Sequence, residues 1–547
     1  MRRNRILAAL VLVLLPATAG AFILQARGIP DGARLFGQVF QRVQEAAVDS
    51  LSPAQLYEKA ARGLIKNLDD PYAELYSPEE LSRFQRNNLG NNYGGIGLSI
   101  ENQDGLITIG NVFPNTPGEM GGAMVGDRII KVDTIPVTGR PLDFVSGQLT
   151  GVPGTKVNVT LQRAGVPQPI EVTFTRAVIR VPAVPFTQLL DGNVGYIPIQ
   201  RFNEVAAQHV EEAIRELRAQ GAQAYILDLR GNPGGSLEES LKISNLFLKP
   251  GLELARVQHR GRTAEVYHAN QSSIIGNERL VVMVNGGSAS ASEIIAGSLQ
   301  DHDRGLVIGT TTFGKGLVQT LFPLDGGWAL KLTTGKWYTP SGRSIQREHA
   351  GLNDGRFVEG ATNFDESEPD TTRAGRPTFR SAGGRTVYGG GGITPDLMIA
   401  ADTLSSAEQA FFRATVAGPK GPLEYATRYQ LALDLKDQVR SPDYQFRPEW
   451  LEMYWERLQK AGIEVDRATF DGGRATAIRL LDDRLAMVAF GEAARFRRLL
   501  PEDNQLQTAL GLLGTSRSQQ ELFALADARG GPSAGGGNRP RTGGDRE

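Results

Sequence analysis

Two runs, "AYILDL" from Ala224 and "ERLVVMVN" from Glu278, contain strand-length stretches that are almost entirely apolar. A strand that is apolar on both sides must be covered on both faces, as in a parallel sheet layered between helices. The neighbouring segments fit that layout. "EVAAQHVEEAIRELRAQG" sets Ala206, Val210, Ala213, Ile214 and Leu217 on one helical face, with Gly221 just past its end. "SLEESLKISNLFL" reads as another helix, and "NVGYIPI", "GLVIGT" and "WALKLTTGKWYT" as further strands. This alternation predicts an α/β layered domain over residues 181–404. A polar stretch at 348–384, with "DESEPDTTRAGRP", reads as a surface insertion before "RTVYGGGGITPDLMIA" returns to the domain.

Different textures flank this domain. Residues 91–180 hold short β runs, "YGGIGLSI", "GLITIGNV", "DRIIKV", "TKVNVTLQR" and "IEVTFTR", between turn-forming clusters, and predict a small β-rich domain. Residues 28–90 read as helices; Phe36, Val39, Phe40 and Val43 form one apolar stripe, and Ser52 with Pro53 starts a second helix. Residues 405–527 are mainly helical with no chemically legible motif. A dimerisation arm, an adaptor-docking surface and a substrate cover remain open for them. The tail, 528–547, is rich in Gly, Pro and Arg and is expected to be disordered. At the other end, "MRRNR" precedes an apolar run from Ile6 to Leu24. Residues 1–27 therefore read as an export signal or as a single membrane anchor. Either places the protein in the periplasm or on the outer face of the cytoplasmic membrane.

Composition excludes several chemistries. The chain has no cysteine, so thiolate nucleophiles and disulfides are absent, and its five histidines include no HExxH pair. No metal or cofactor is implied. A net charge of −1 gives no sign of a nucleic-acid partner.

The stretch "NGGSASASEIIAGSLQDHDRG", from Asn285, follows a buried strand and opens a helix. Ser290 and Glu293 match a capping box, which reads the serines as helix-start polar groups. The same junction suits a nucleophile, since free helix-start amides stabilise an oxyanion and the amide of Ala291 is the natural first donor. A serine needs a base. His302 is twelve residues further on, about 18 Å along a helix. Lys315, between Gly314 and Gly316 in "TTTFGKGLVQTLF", is the better candidate. Glycines on both sides let the backbone crowd close and wall in the amine, and burial favours the neutral, basic form of a lysine. "LDLRGNPGGSLEESL" follows another buried strand, and Gly234 and Gly235 there could offer amides to an anionic oxygen or form a tight turn capped by Ser236.

These motifs, in this order after a small β domain, resemble the carboxyl-terminal processing proteases, the tail-specific serine peptidases. The resemblance runs from about Leu68 to Ala400 and is carried by "NLDDPYAELYSPEEL", "NYGGIGLSI", "LDLRGNPGG", "NGGSASASEIIAGSLQD", "TTFGKGLVQ", "KWYTPSGRSIQ" and "VYGGGGITPD". It implies Ser290 as nucleophile, Lys315 as general base and Gln319 as the residue that orients the amine. Some family assignments use the acid at Asp301 instead. Asp301 returns to the same helix face but lies about 16 Å along the axis, so it reads as structural.

The resemblance also implies a PDZ domain beside a crotonase/ClpP-like α/β protease domain, the whole a multidomain α/β chain flanked by helical regions. In the PDZ domain, Gly94, Gly95, Ile96 and Gly97 would form a loop of amides for a terminal carboxylate. Ile96, Leu98 and Ile100 would face the ligand's last side chain. Thr134 stands where a turn glycine is common. The expected function is an exported serine endopeptidase that captures proteins with a free apolar C-terminus and cleaves them through an acyl-enzyme. Two rivals stand beside it: a non-catalytic PDZ scaffold for envelope protein tails, and a crotonase-type enzyme, for which no coenzyme A site is legible.

Overall fold

The computed structural model describes residues 30–85, 92–103, 106–113, 115–163, 166–347, 375–400 and 403–530. The expected signal or anchor at 1–27, residues 348–374 of the polar insertion and residues 531–547 of the tail lie outside them. The end of that insertion, read as loop, includes strand Thr378–Arg380, paired with Thr386–Tyr388. Among the described residues no helix is long and apolar enough to cross a membrane. They form two compact units, residues up to 78 with 320–333, and 79–319 with 334 onward.

In the smaller unit, helices Pro30–Ala46 and Pro53–Lys66 precede strand Glu74–Tyr76, which pairs antiparallel with residues 329–331. Ser52 caps its helix reciprocally with Gln55, the amide of each reaching the side chain of the other.

The larger unit is built on a six-stranded sheet in the spatial order Gln188–Leu190, Val194–Pro198, Ala224–Asp228, Arg279–Val284, Leu306–Gly309, Leu397–Met398. The first pair is antiparallel and the others are parallel. Successive side chains on a strand point to opposite faces, and both faces are apolar. Ile197, Leu227, Val282 and Val307 pack with Val210, Ile214, Ile243 and Ile295 of helices Ala206–Ala219, Leu237–Phe247 and Ala291–Asp301. Their neighbours Tyr196, Ile226, Val281, Met283 and Ile308 meet Leu506, Ala509, Leu512 and Leu522 of helices Asn504–Thr515 and Gln519–Ala528. The end of the C-terminal helical region therefore completes the sandwich. Its earlier helices, from Ser406 to Phe490, have a core of their own around Phe411, Trp450, Tyr454 and Phe470. A second sheet pairs Glu253–His259 with Glu265–His268 and with residues 335–338.

The β-rich domain orders its strands as Leu98–Gln103, Leu106–Val112, Arg128–Val132, Lys156–Gln162, Ile170–Thr175, around Ile107, Ile129, Val159 and Phe174. "YGGIGLSI", read as one strand, is two: Asn92–Gly95 leaves this sheet and pairs with Ala177–Arg180. The left-handed residue of the turn before Thr134 is Asp133, at φ 50°. Its carboxylate and amide bond the backbone of Asn158, so no glycine is needed there.

Candidate active site

The end of strand Arg279–Val284 and the start of helix Ala291–Asp301 are joined by the serine stretch. Its three serines have different surroundings. The Ser288 hydroxyl donates to Leu229 O at 2.8 Å and the Ser292 hydroxyl to Asn232 O at 2.9 Å, and both residues are fully buried. They fasten the serine stretch to the "LRGNPGG" loop. Ser290 between them is half-buried and sits at φ 52°, ψ −109°. A non-glycine residue in that region costs of order 1–3 kcal/mol, and such strain concentrates where a side chain must be presented. The helix's apolar face and the ties at 288 and 292 hold it there.

Half of the expected capping box takes an unexpected form. Glu293 is completely buried, and its Oε2 accepts from the amide of Ser290 at 2.8 Å and from the amide of Lys315 at 2.9 Å. Its Oε1 accepts from Gly314 N at 2.7 Å and from the Thr312 hydroxyl. Burial pushes the Glu293 carboxyl up, and these four donors pull it back. One carboxylate thus fixes the backbone of both candidate residues. Sequence reading assigned Glu293 only a capping role, because the 312–315 segment that completes its shell is not local.

Lys315 is 6% exposed. Its carbonyl accepts from Trp337 Nε1 at 3.0 Å, and the following amide, Gly316 N, donates to Gln346 Oε1 at 2.9 Å. Gly314 has φ 92°, and a Cβ there would lie 2.8 Å from Arg347 Cβ, so the backbone beside Lys315 is closely packed. Gln319 lies half-buried in strand Leu317–Pro323, four residues along. Asp301, at the far end of the serine helix, is buried with Arg343, which holds it at 2.7 Å, and it also accepts from the half-buried Ser341 N at 2.9 Å. That is a structural ion pair.

The "LRGNPGG" loop lies against the serine. A Cβ on Gly234, at φ 103°, would come within 3.0 Å of Ser290 Cβ and 3.1 Å of Ala291 N. The Gly234 amide itself donates to Asn232 Oδ1 at 2.9 Å, which removes it from the available oxyanion donors. Its role is close approach. The amides of Gly235 and Ala291 have no protein acceptor among the described residues. Asn232 is the hidden organiser of this loop: Nδ2 donates to Ile199 O, and its carbonyl accepts from Ala289 N as well as Ser292.

In the β-rich domain, a groove of about 270 Å³ runs between strand Leu98–Gln103 and helix Leu142–Leu149. Among the described residues, strand Leu98–Gln103 is the end strand of its sheet, pairing with Leu106–Val112. Ile96, Gly97, Leu98 and Ile100 line the groove, with Leu142 and Leu149 opposite. Gly94 and Gly95 do not. They are ladder residues, opposite Val178 and Ala177, and Gly94 packs so tightly on Gly151 that a Cβ would sit 2.0 Å from its carbonyl oxygen. Arg201, which no local pattern marked, also lines the groove; among the described residues its Nε has no hydrogen-bond partner, and burial pulls the guanidinium pKa down. Among the described residues no group of acidic and histidine side chains is arranged to hold a metal.

Residues 193–353 match the model of peptidase family S41, and residues 94–174 that of the PDZ domain. The chain is 35% identical to a carboxy-terminal-processing protease of Bartonella bacilliformis over 315 residues, 57% of this chain and 72% of the relative. It is also 35% identical to the carboxy-terminal processing protease CtpA of Bacillus subtilis, over 60% of this chain and 71% of that one. Among solved structures, a photosystem II D1 C-terminal processing protease aligns at 32% identity and TM-score 0.37, over 56% of this chain and 82% of that chain. The chain belongs to the carboxy-terminal processing proteases of peptidase family S41, as a serine peptidase with a PDZ domain.

Proposed function

We propose that the protein is an exported endopeptidase in which Ser290 and Lys315 form the catalytic dyad and the PDZ groove selects substrates by their free C-terminus. The observation that carries this is the single Glu293 oxygen bonded to the amides of both dyad residues. Ser290 Oγ attacks a peptide carbonyl while Lys315 Nζ takes its proton. The amides of Ala291 and Gly235 hold the oxyanion. Lys315 then returns the proton to the leaving amine, leaving an acyl-enzyme at Ser290. Water, activated by the same amine, releases the new C-terminus. The substrate tail adds alongside strand Leu98–Gln103, the end strand of its sheet, with its last side chain near Ile96, Leu98 and Ile100. Arg201 supplies positive charge for the terminal carboxylate. Export rests on the arginine-led apolar run at the N-terminus.

The test is cleavage of an unstructured protein ending in apolar residues. The wild type is expected to cut it and Ser290→Ala to leave it intact. Amidating the tail is expected to raise KM about tenfold or more, from the loss of a charged hydrogen-bonded group. Equal cutting by wild type and Ser290→Ala would refute the dyad, and indifference to amidation would refute tail selection.

A further inference from the structure

We propose that Asp503, in the C-terminal helical region, is a positioning residue for the oxyanion loop, so that this region takes part in catalysis as well as in folding. The inference rests on the serine-peptidase reading above. Four of the six residues from Leu229 to Gly234 are tied to the serine stretch or to the loop itself. Leu229 O takes the Ser288 hydroxyl, Gly231 N donates to Asn285 Oδ1 at 2.8 Å, Asn232 O takes Ala289 N and Ser292, and Gly234 N is held by Asn232.

Arg230 is different. Its guanidinium bridges Asp228, at the end of its own strand, and Asp503, with Nη2 at 2.6 Å from the first and 2.7 Å from the second. Nη1 adds Asp503 Oδ1 and Gln505 Oε1, each at 3.1 Å. Asp228 is further held by the Tyr196 hydroxyl at 2.7 Å, and Gln505 by Ile399 O at 2.8 Å. Arg230 therefore clamps the start of the loop between the sheet and a segment 273 residues away. Gly235 and the Gly234 contact with Ser290 lie at the other end of the same loop. A shift of the clamp moves the oxyanion donors against the nucleophile, and displacement of about 1 Å can cost about 100-fold in rate.

Asp503 also caps helix Asn504–Thr515, its side chain accepting from Leu506 N. The two roles separate by substitution. Asp503→Ser keeps a good cap but cannot reach Arg230. In the full chain, Asp503→Ser is expected to lower kcat about tenfold or more, leave KM within about twofold and shift the melting temperature by only a few degrees. Asp503→Glu, which keeps the charge, should regain part of the lost kcat. Asp434→Asn, which breaks the Arg457–Asp434 pair elsewhere in the region, should leave kcat unchanged. Should Asp503→Ser fail to fold, Asp503→Thr, which also caps a helix and is too short to reach Arg230, carries the test on the same criteria. A wild-type kcat in the variant, or a kcat loss matched by KM and by unfolding and not relieved by glutamate, overturns the proposal. Cleavage that survives Ser290→Ala would instead strike down the serine reading, so the two failures are distinct.

Discussion

Lys315→Met is expected to lower kcat by about 1,000-fold, within the range general bases contribute, while the protein stays folded. The site is 6% exposed, so the methionine side chain occupies a space already closed to water. The backbone around it is held by bonds that do not involve the amine: Lys315 N to Glu293, Lys315 O from Trp337 and Gly316 N to Gln346. An apolar chain of similar length disturbs none of these. KM should hold, because the groove near Ile96 is elsewhere and unchanged. A variant that turns over within tenfold of the wild type would show that another group accepts the Ser290 proton.

Glu293→Gln is expected to be nearly as damaging for a different reason. The carboxylate accepts four donors, three of them backbone amides. A carboxamide has one acceptor oxygen and one donor group. If the oxygen keeps Ser290 N and Lys315 N, the amide nitrogen faces the Gly314 N–H; the opposite orientation sets it against two N–H groups. At least one buried N–H loses its acceptor, at a cost of about 1–3 kcal/mol. Because those amides belong to the Ser290 and Lys315 segments, the relaxation moves one segment against the other, and under the proposed dyad kcat should fall about 100-fold. Steady-state kinetics together with thermal unfolding would reveal both effects. A lowered melting temperature with an intact kcat would make Glu293 a stabilising residue only.

Local patterns announced the elements whose determinants are close in sequence. The buried face of helix Ala206–Ala219 is the set named from its 3.6-residue period, with Gly221 at φ 99° beyond it. The Ser52 cap and the strand-to-helix junction at Ser290 were legible for the same reason. The apolar strands also said that both sheet faces are covered, but not by what; the second cover comes from helices more than 190 residues after strand Leu306–Gly309. What escaped depends on distant partners. Glu293 looked like a cap until Thr312 and Gly314 closed around it. Gly94 and Gly95 looked like a loop because their ladder partners, Ala177 and Val178, sit over 80 residues on. The strands Glu253–His259 and Glu265–His268 show too little alternation to stand out. The Arg230–Asp503 clamp has no sequence signal, since arginine and aspartate pairs are common and mostly solvent-facing.

The claim that governs the rest is chemical: the hydroxyl at 290 is activated by its surroundings, unlike those at 288 and 292. Treating the native protein with a fluorophosphonate and locating the adduct by peptide mass spectrometry tests it most directly. The account predicts one adduct, on Ser290, formed quickly in the wild type and at least 100-fold more slowly in Lys315→Met, in keeping with the size of general-base effects. An adduct on Ser288 or Ser292, no adduct at all, or equal rates in the two proteins would contradict it.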